Sequence, residues 1–122
     1  MKFVYGLTLF SLGRYNKDGD AKMNNIHEKF KALSDATRLK IYMLLTERTL
    51  CACQVLDKLD ISQPTLSHHM KILENAGLVN SDKRGTWTHY HINEDTVRSF
   101  IDFFQTIRDT PRDEEEVFSC EP

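Results

Sequence analysis

Two cysteines stand one residue apart in the stretch TLCACQV, as Cys51 and Cys53, and the 122-residue chain holds only one more, Cys120. A thiolate is both a nucleophile and a soft-ion ligand. Three roles are therefore open to the pair: capture of a metal or metalloid, redox cycling, or packing as small apolar residues. Three cysteines are too few, and odd in number, for a disulfide framework, which points to a reducing, cytoplasmic setting. No nucleophile–base–orienter set, glycine-rich phosphate loop or paired-carboxylate signature accompanies them, so the sequence does not read as an enzyme.

A second group of residues suits a different chemistry. SQPTLSHHMKIL carries Ser62, Gln63, Thr65, Ser67, His68, His69 and Lys71, and the downstream DKRGT carries Lys83, Arg84 and Thr86. The first set is short and polar, and all but Lys71 is uncharged. Gln63 can bond an adenine edge in two places, and serine or threonine can bond bases or phosphates. Lys83 and Arg84 are suited to the phosphate backbone. The plainer alternative is a solvated helix face beside an ordinary charged turn. His89 and His91 alternate in a strand and face one side. They make a poor ligand set by themselves and read as a half-buried pair, with Trp87 and Tyr90 as packing residues.

The elements that must position these groups follow from punctuation and period. A first helix is expected over about 25–33, with Ile26, Phe30 and Leu33 on one face and Asn24 or Asn25 as cap. A second spans 34–48, capped by Ser34 or Asp35, with Leu39, Tyr42, Met43 and Leu45 giving its apolar spacing. A third spans 49–60 with Thr49 as cap. A fourth spans 62–77: Ser62 caps it, Pro64 sits in the first turn, Gly77 ends it, and Leu66, Met70 and Leu73 face inward. Residues 78–92 alternate around DKRG and read as a hairpin. A fifth helix spans 95–107, with Val97, Phe100, Ile101, Phe104 and Ile107 forming a wide apolar face.

The fold class is thus mainly α with a small β-hairpin, a winged helix-turn-helix in the order four helices, two strands, a fifth helix. Residues 60–62 form the turn before the recognition helix. Three regions are expected: 1–22 as an extension, 23–108 as the folded domain, and 109–122 as an acidic, frayed tail. Residues 1–22 read either as an arm that wraps a partner or as sequence upstream of a true start at Met23.

The bulk numbers agree. The composition, 40% hydrophobic and 28% charged, is that of an ordinary globular chain. No apolar run is long enough to span a membrane, and FVYGLTLFSL lacks the flanks of a signal peptide. The net charge of −2 hides an asymmetry. Residues 1–92 hold 13 Lys and Arg against 9 Asp and Glu, whereas residues 93–122 hold 3 against 9. A mildly basic body permits nucleic-acid binding without requiring it.

If Thr49 caps the third helix, Cys51 and Cys53 both lie in its first turn. Residues two apart on a helix point about 200° from one another. Two sulfurs on one ion must come within roughly 4 Å, given metal–sulfur bonds of about 2.3 Å. Ion capture is therefore expected to unwind that turn and shift the recognition helix.

ALSDATRLKIYMLL, TLCACQVLDKL, SQPTLSHHMKILENAGLV and KRGTWTHYHI, in that order, resemble the ArsR family of small winged-helix repressors over roughly residues 25–107. Cys-x-Cys followed by SQPTLSHHMKIL resembles the arsenical-resistance operon repressor branch in particular. The resemblance implies a homodimer that occupies operator DNA and leaves it when Cys51 and Cys53 bind As(III) or Sb(III). It also implies a dimer interface on the first and fifth helices, through Ile26, Phe30, Val97, Phe100, Ile101 and Phe104; packing within one chain is the alternative. Members of the branch often carry a third sulfur three residues after the second. Here that position is Leu56, which leaves Cys120, from the same or the partner chain, as the candidate third ligand. Zinc- and cadmium-sensing relatives use Asp and His on the last helix. Asp95, Asp102 and Asp109 have no such histidine beside them, so that site looks absent. Two alternatives stand beside this reading. One is a repressor sensing Cd(II), Zn(II), Pb(II) or thiol oxidation, and the other is a winged-helix interaction module that does not bind DNA.

Overall fold

Asp35 sets the first corner of the chain. Its backbone is extended and its carboxylate accepts from the Arg38 N–H at 3.0 Å, so a new helix starts where the previous one stops. The computed structural model describes residues 17–112. In chain order the elements are α1 (Lys17–Leu33), α2 (Ala36–Glu47), β1 (Leu50–Cys51), α3 (Ala52–Lys58), α4 (Gln63–Asn75), β2 (Val79–Arg84), β3 (Trp87–Ile92) and α5 (Glu94–Asp109). This is the expected winged helix-turn-helix with one additional strand.

Four local expectations need correction. Helix α1 begins at Lys17, eight residues before the expected start near 25. Gly19 was expected in the extension and Asn24 or Asn25 as the cap, yet all three lie inside the helix, where glycine or asparagine each cost only about 1 kcal/mol or less. On α2, Ile41, Tyr42 and Leu45 are buried, but Leu39 and Met43 face out. The run IYMLL is apolar on several sides, so its period does not by itself select the inward face. Leu50 and Cys51 form a strand where a helix with a Thr49 cap was expected. Lastly, Asp82 and Lys83 lie inside β2 rather than in the turn. Arg84 pairs with Trp87, which leaves Gly85 and Thr86 as a two-residue turn. Gly85 has φ 68° and among the described residues no non-glycine residue has a positive φ, the pattern of a II′ hairpin.

The sheet order is β1-β3-β2, antiparallel throughout. Its inner face carries Leu50, Val79 and Tyr90 onto Ile41, Leu45 and Val55, and the expected stripe of α4 closes the same core: Leu66, Met70 and Leu73 are all buried. Helix α4 ends as its Gly77 signal predicts. The Leu78 N–H donates to Leu73 O at 3.0 Å and the Gly77 N–H to Glu74 O at 2.9 Å, a Schellman pair. A Cβ at Gly77 would meet nothing closer than 3.9 Å; its φ of 76° is what requires glycine. Among the described residues no helix is long and apolar enough to cross a membrane.

Candidate nucleic-acid interface and thiol pair

Helix α4 presents its first turns outward. Ser62 is its N-cap, accepting from the Thr65 N–H at 3.3 Å and donating to Thr65 Oγ1 at 2.9 Å. That holds the end of the helix firmly while Gln63, Ser67, His68 and Lys71 stand exposed. Burial of Leu66, Met70 and Leu73 decides this: a 3.6-residue period that sends those three inward must send the polar set out. Lys83, Arg84 and Thr86 lie together at the exposed end of the β2–β3 hairpin. Arg84 Nε donates to Asp82 Oδ2 at 3.3 Å, so part of its charge is already answered. The residues expected to contact nucleic acid thus occupy two exposed regions, the front of α4 and the hairpin tip.

His69 is the exception. It is half-buried, and its Nδ1 lies 3.4 Å from Nη1 of Arg38 on α2. Arg38 also donates from Nε to Ala32 O at 2.6 Å. Sequence reasoning passed over Arg38, although the Asp-x-x-Arg spacing after the first helix was legible. Asp35 is held below the ordinary carboxylate range chiefly by the Arg38 N–H, with burial opposing it and the Arg38 charge adding a smaller pull.

The thiol pair sits at the junction of β1 and α3. Cys51 is the last strand residue and the N-cap of the helix, with φ −81° and ψ 161°. Its N–H donates to Gln54 Oε1 at 2.9 Å, and the Gln54 N–H faces the Cys51 sulfur. Cys53 is the second helical residue. Cys51 is buried and Cys53 exposed. The two are therefore not both helical, and the 200° separation expected of them does not apply. Their side chains already interact. Hydrogen bonding from the Cys53 thiol is the main influence lowering the Cys51 pKa below the ordinary thiol value, and the same contact raises that of Cys53. The bend at this strand-to-helix junction stands in place of the regular first turn on which that separation was reckoned. Cys120 lies outside the described residues.

The expected interface residues divide. Ile26 is buried within the single chain, whereas Phe30, Ile101 and Phe104 are exposed and Val97 and Phe100 half-buried. Phe30 of α1 meets Phe100 and Phe103 of α5 at ring-centroid distances of 5.3 and 5.6 Å. Phe103 escaped the sequence reading because it lies off the main stripe of α5.

Residues 35–81 match the family described as bacterial regulatory protein, arsR family. An uncharacterized HTH-type transcriptional regulator of Methanocaldococcus jannaschii is 46% identical over 81 residues, which are 66% of this chain and 91% of that protein. An arsenical resistance operon repressor of Staphylococcus aureus is 49% identical over 71 residues, 58% of this chain and 68% of the relative. A cadmium resistance transcriptional regulatory protein CadC homolog of the same species is 38% identical over 85 residues, 67% of this chain and 70% of the relative. Among solved structures, the homodimeric winged helix-turn-helix domain Mb0332 from Mycobacterium bovis covers 77% of this chain, and 87% of its own length is matched, with a TM-score of 0.64 and 23% identity. A helix-turn-helix with a basic wing, a Cys-x-Cys junction and these relatives converge: the chain belongs to the ArsR family of winged-helix transcriptional repressors, which are DNA-binding regulators and not enzymes.

Proposed function

We propose that the protein is a cytoplasmic, homodimeric repressor that holds operator DNA with α4 and the β2–β3 wing and releases it when Cys51 and Cys53 capture a soft ion. Trivalent arsenic or antimony is the first candidate, with the two thiolates as protein ligands and Cys120 or a solvent group completing three-coordination. The observation that carries this reading is the position of the thiol pair. One sulfur belongs to β1, which pairs with wing strand β3; the other belongs to α3, which is joined to α4 by residues 59–62. An ion that draws the sulfurs together pulls on both DNA-facing elements at once.

DNA favours one arrangement of these elements and the ion another, so each weakens the other's binding. A coupling of about 1–3 kcal/mol, or roughly 5- to 150-fold in affinity, is typical. Proton bookkeeping favours capture at Cys51, whose thiolate is already stabilised by its neighbour. The apolar face of α5, exposed at Ile101, Phe104 and Ile107, supports a second copy as its cover. A divalent soft ion such as cadmium is the second reading, favoured by the cadmium-resistance relative.

A gel-shift titration with DNA from upstream of its own gene tests the proposal. Arsenite, antimonite, cadmium, zinc, lead and peroxide are added side by side. Release by a soft ion, lost in Cys51→Ser and Cys53→Ser while DNA binding persists, supports it. No shift at all favours a winged-helix module that does not bind DNA, and release by peroxide alone favours redox sensing. Either outcome overturns the proposal.

A further inference from the structure

Cys51 and His89 are direct partners in the antiparallel β1–β3 ladder. Opposed residues in such a ladder put their side chains on the same face, with Cβ atoms about 5 Å apart. The other neighbour of His89 is Asp82 on β2. One row, Cys51–His89–Asp82, therefore crosses all three strands. Leu50 and Tyr90 form the adjacent row on the opposite face, toward the core.

His89 Nδ1 in this row is buried and has no hydrogen-bond partner. Leaving a buried polar atom unpaired is costly, so native proteins retain few of them. An apolar residue of similar size would fill the place without the penalty. The unpaired nitrogen's residue stands directly across the ladder from a buried thiol, and a second, exposed thiol follows two residues along the chain. Two sulfurs and one imidazole nitrogen form a donor set that suits a divalent d10 cation.

We infer that His89 is the third protein ligand of the Cys51–Cys53 site and that the three together take a zinc or cadmium ion. The inference rests on the reading of Cys51 and Cys53 as the ion-sensing pair. Among the described residues no three such donors already stand together at coordinating distance. The ion therefore assembles the site, drawing the His89 ring toward the sulfurs. Binding releases one proton from each thiol; the imidazole coordinates as the neutral ring through Nδ1 and keeps its proton on Nε2. Asp82, next in the row, can accept from that Nε2–H and so fix the ring, the arrangement common for metal-bound histidines. Because His89 belongs to β3, its movement is passed directly to the hairpin that carries Lys83 and Arg84. A trivalent metalloid, bound by sulfur alone, does not use His89.

Cadmium and arsenite titrations of the full-length wild type, His89→Gln, His91→Gln and Cys53→Ser, each followed by thiolate-to-ion absorption, test the assignment. Circular dichroism confirms that each variant is folded. Loss of a direct ligand should weaken cadmium binding more than about tenfold in His89→Gln and leave arsenite binding within about threefold. His91→Gln, paired with Asn80 and outside the row, should match the wild type. Cadmium binding unchanged in His89→Gln, or weakened equally in His91→Gln, overturns the inference while leaving the sensor reading intact. Cadmium and arsenite binding both unchanged in Cys53→Ser overturns the sensor reading and this inference with it. As an independent readout, nitrogen NMR of the cadmium complex should place the shifted histidine nitrogen at Nδ1 of His89. A shift at any other histidine overturns the inference.

Discussion

Arg38 on α2 reaches across to His69 on α4, with 3.4 Å between Nη1 and Nδ1. A guanidinium can only donate, so the contact needs Nδ1 as its acceptor. The same side chain is anchored by its 2.6 Å bond to Ala32 O at the end of α1. Arg38 thus ties three helices at a point behind the recognition surface.

Replacing Arg38 tests that tie. Arg38→Ala should lower stability by about 2 kcal/mol in urea unfolding, the loss expected for a charged donor on a partly buried carbonyl. It should also weaken operator binding by freeing His69. Arg38→Lys restores charge without the planar fork and should recover little of either effect.

Asp35 supplies an acid dependence. Its folded pKa is depressed, mainly by the Arg38 N–H, so the stability it contributes is present above the ordinary carboxylate value and is lost as pH falls through the folded value. Asp35→Asn keeps a neutral cap. Its melting temperature should fall less steeply than that of the wild type on acidification, as thermal melts across the acid range would show.

The thiols are coupled in sign. Hydrogen bonding from Cys53 lowers the Cys51 pKa, so removing it in Cys53→Ala should shift the first appearance of thiolate absorbance to higher pH. In the wild type that absorbance should begin below the ordinary thiol range and belong to Cys51. A first thiolate that survives in Cys51→Ala at the same pH would contradict the assignment.

On the DNA-facing surface, base reading and backbone contact separate by salt. Gln63→Ala should cost about 1–3 kcal/mol against the cognate operator and relax preference at one base pair. Lys83→Ala should weaken all sequences alike and reduce the salt slope by about one. Anisotropy titrations at several salt concentrations on cognate and scrambled DNA distinguish the two.

The apolar face of α5 should fail as an interface when charged. Phe104 is 55% exposed and Ile101 49% exposed in the single chain, so glutamate at either position should be tolerated by the fold. Phe104→Glu should sediment as a monomer with near-wild-type helicity, and its operator affinity should collapse because one half-site alone is held weakly.

Much of this protein is written locally. Ser62, Pro64, the Leu66–Met70–Leu73 stripe and Gly77 each report on neighbours within a few residues, so α4 and its outward polar face follow from the sequence alone. The same holds for Asp35 as a cap and for the hairpin, whose alternation survives even though its turn moves to Gly85. The tertiary structure decided what depends on distant partners. Leu50 and Cys51 become a strand only because β3, about forty residues on, offers them backbone partners; two residues carry no period of their own. That pairing changes the geometry of the cysteines, sets His89 opposite Cys51 and turns a helical pair into a junction. The inward face of α2 was also decided from outside, since an apolar run that can face several ways is oriented by whatever packs against it. Local hydrogen bonding and period are encoded within a few residues, whereas cross-strand register and the choice of buried face are set by contacts that exist only once the chain has folded.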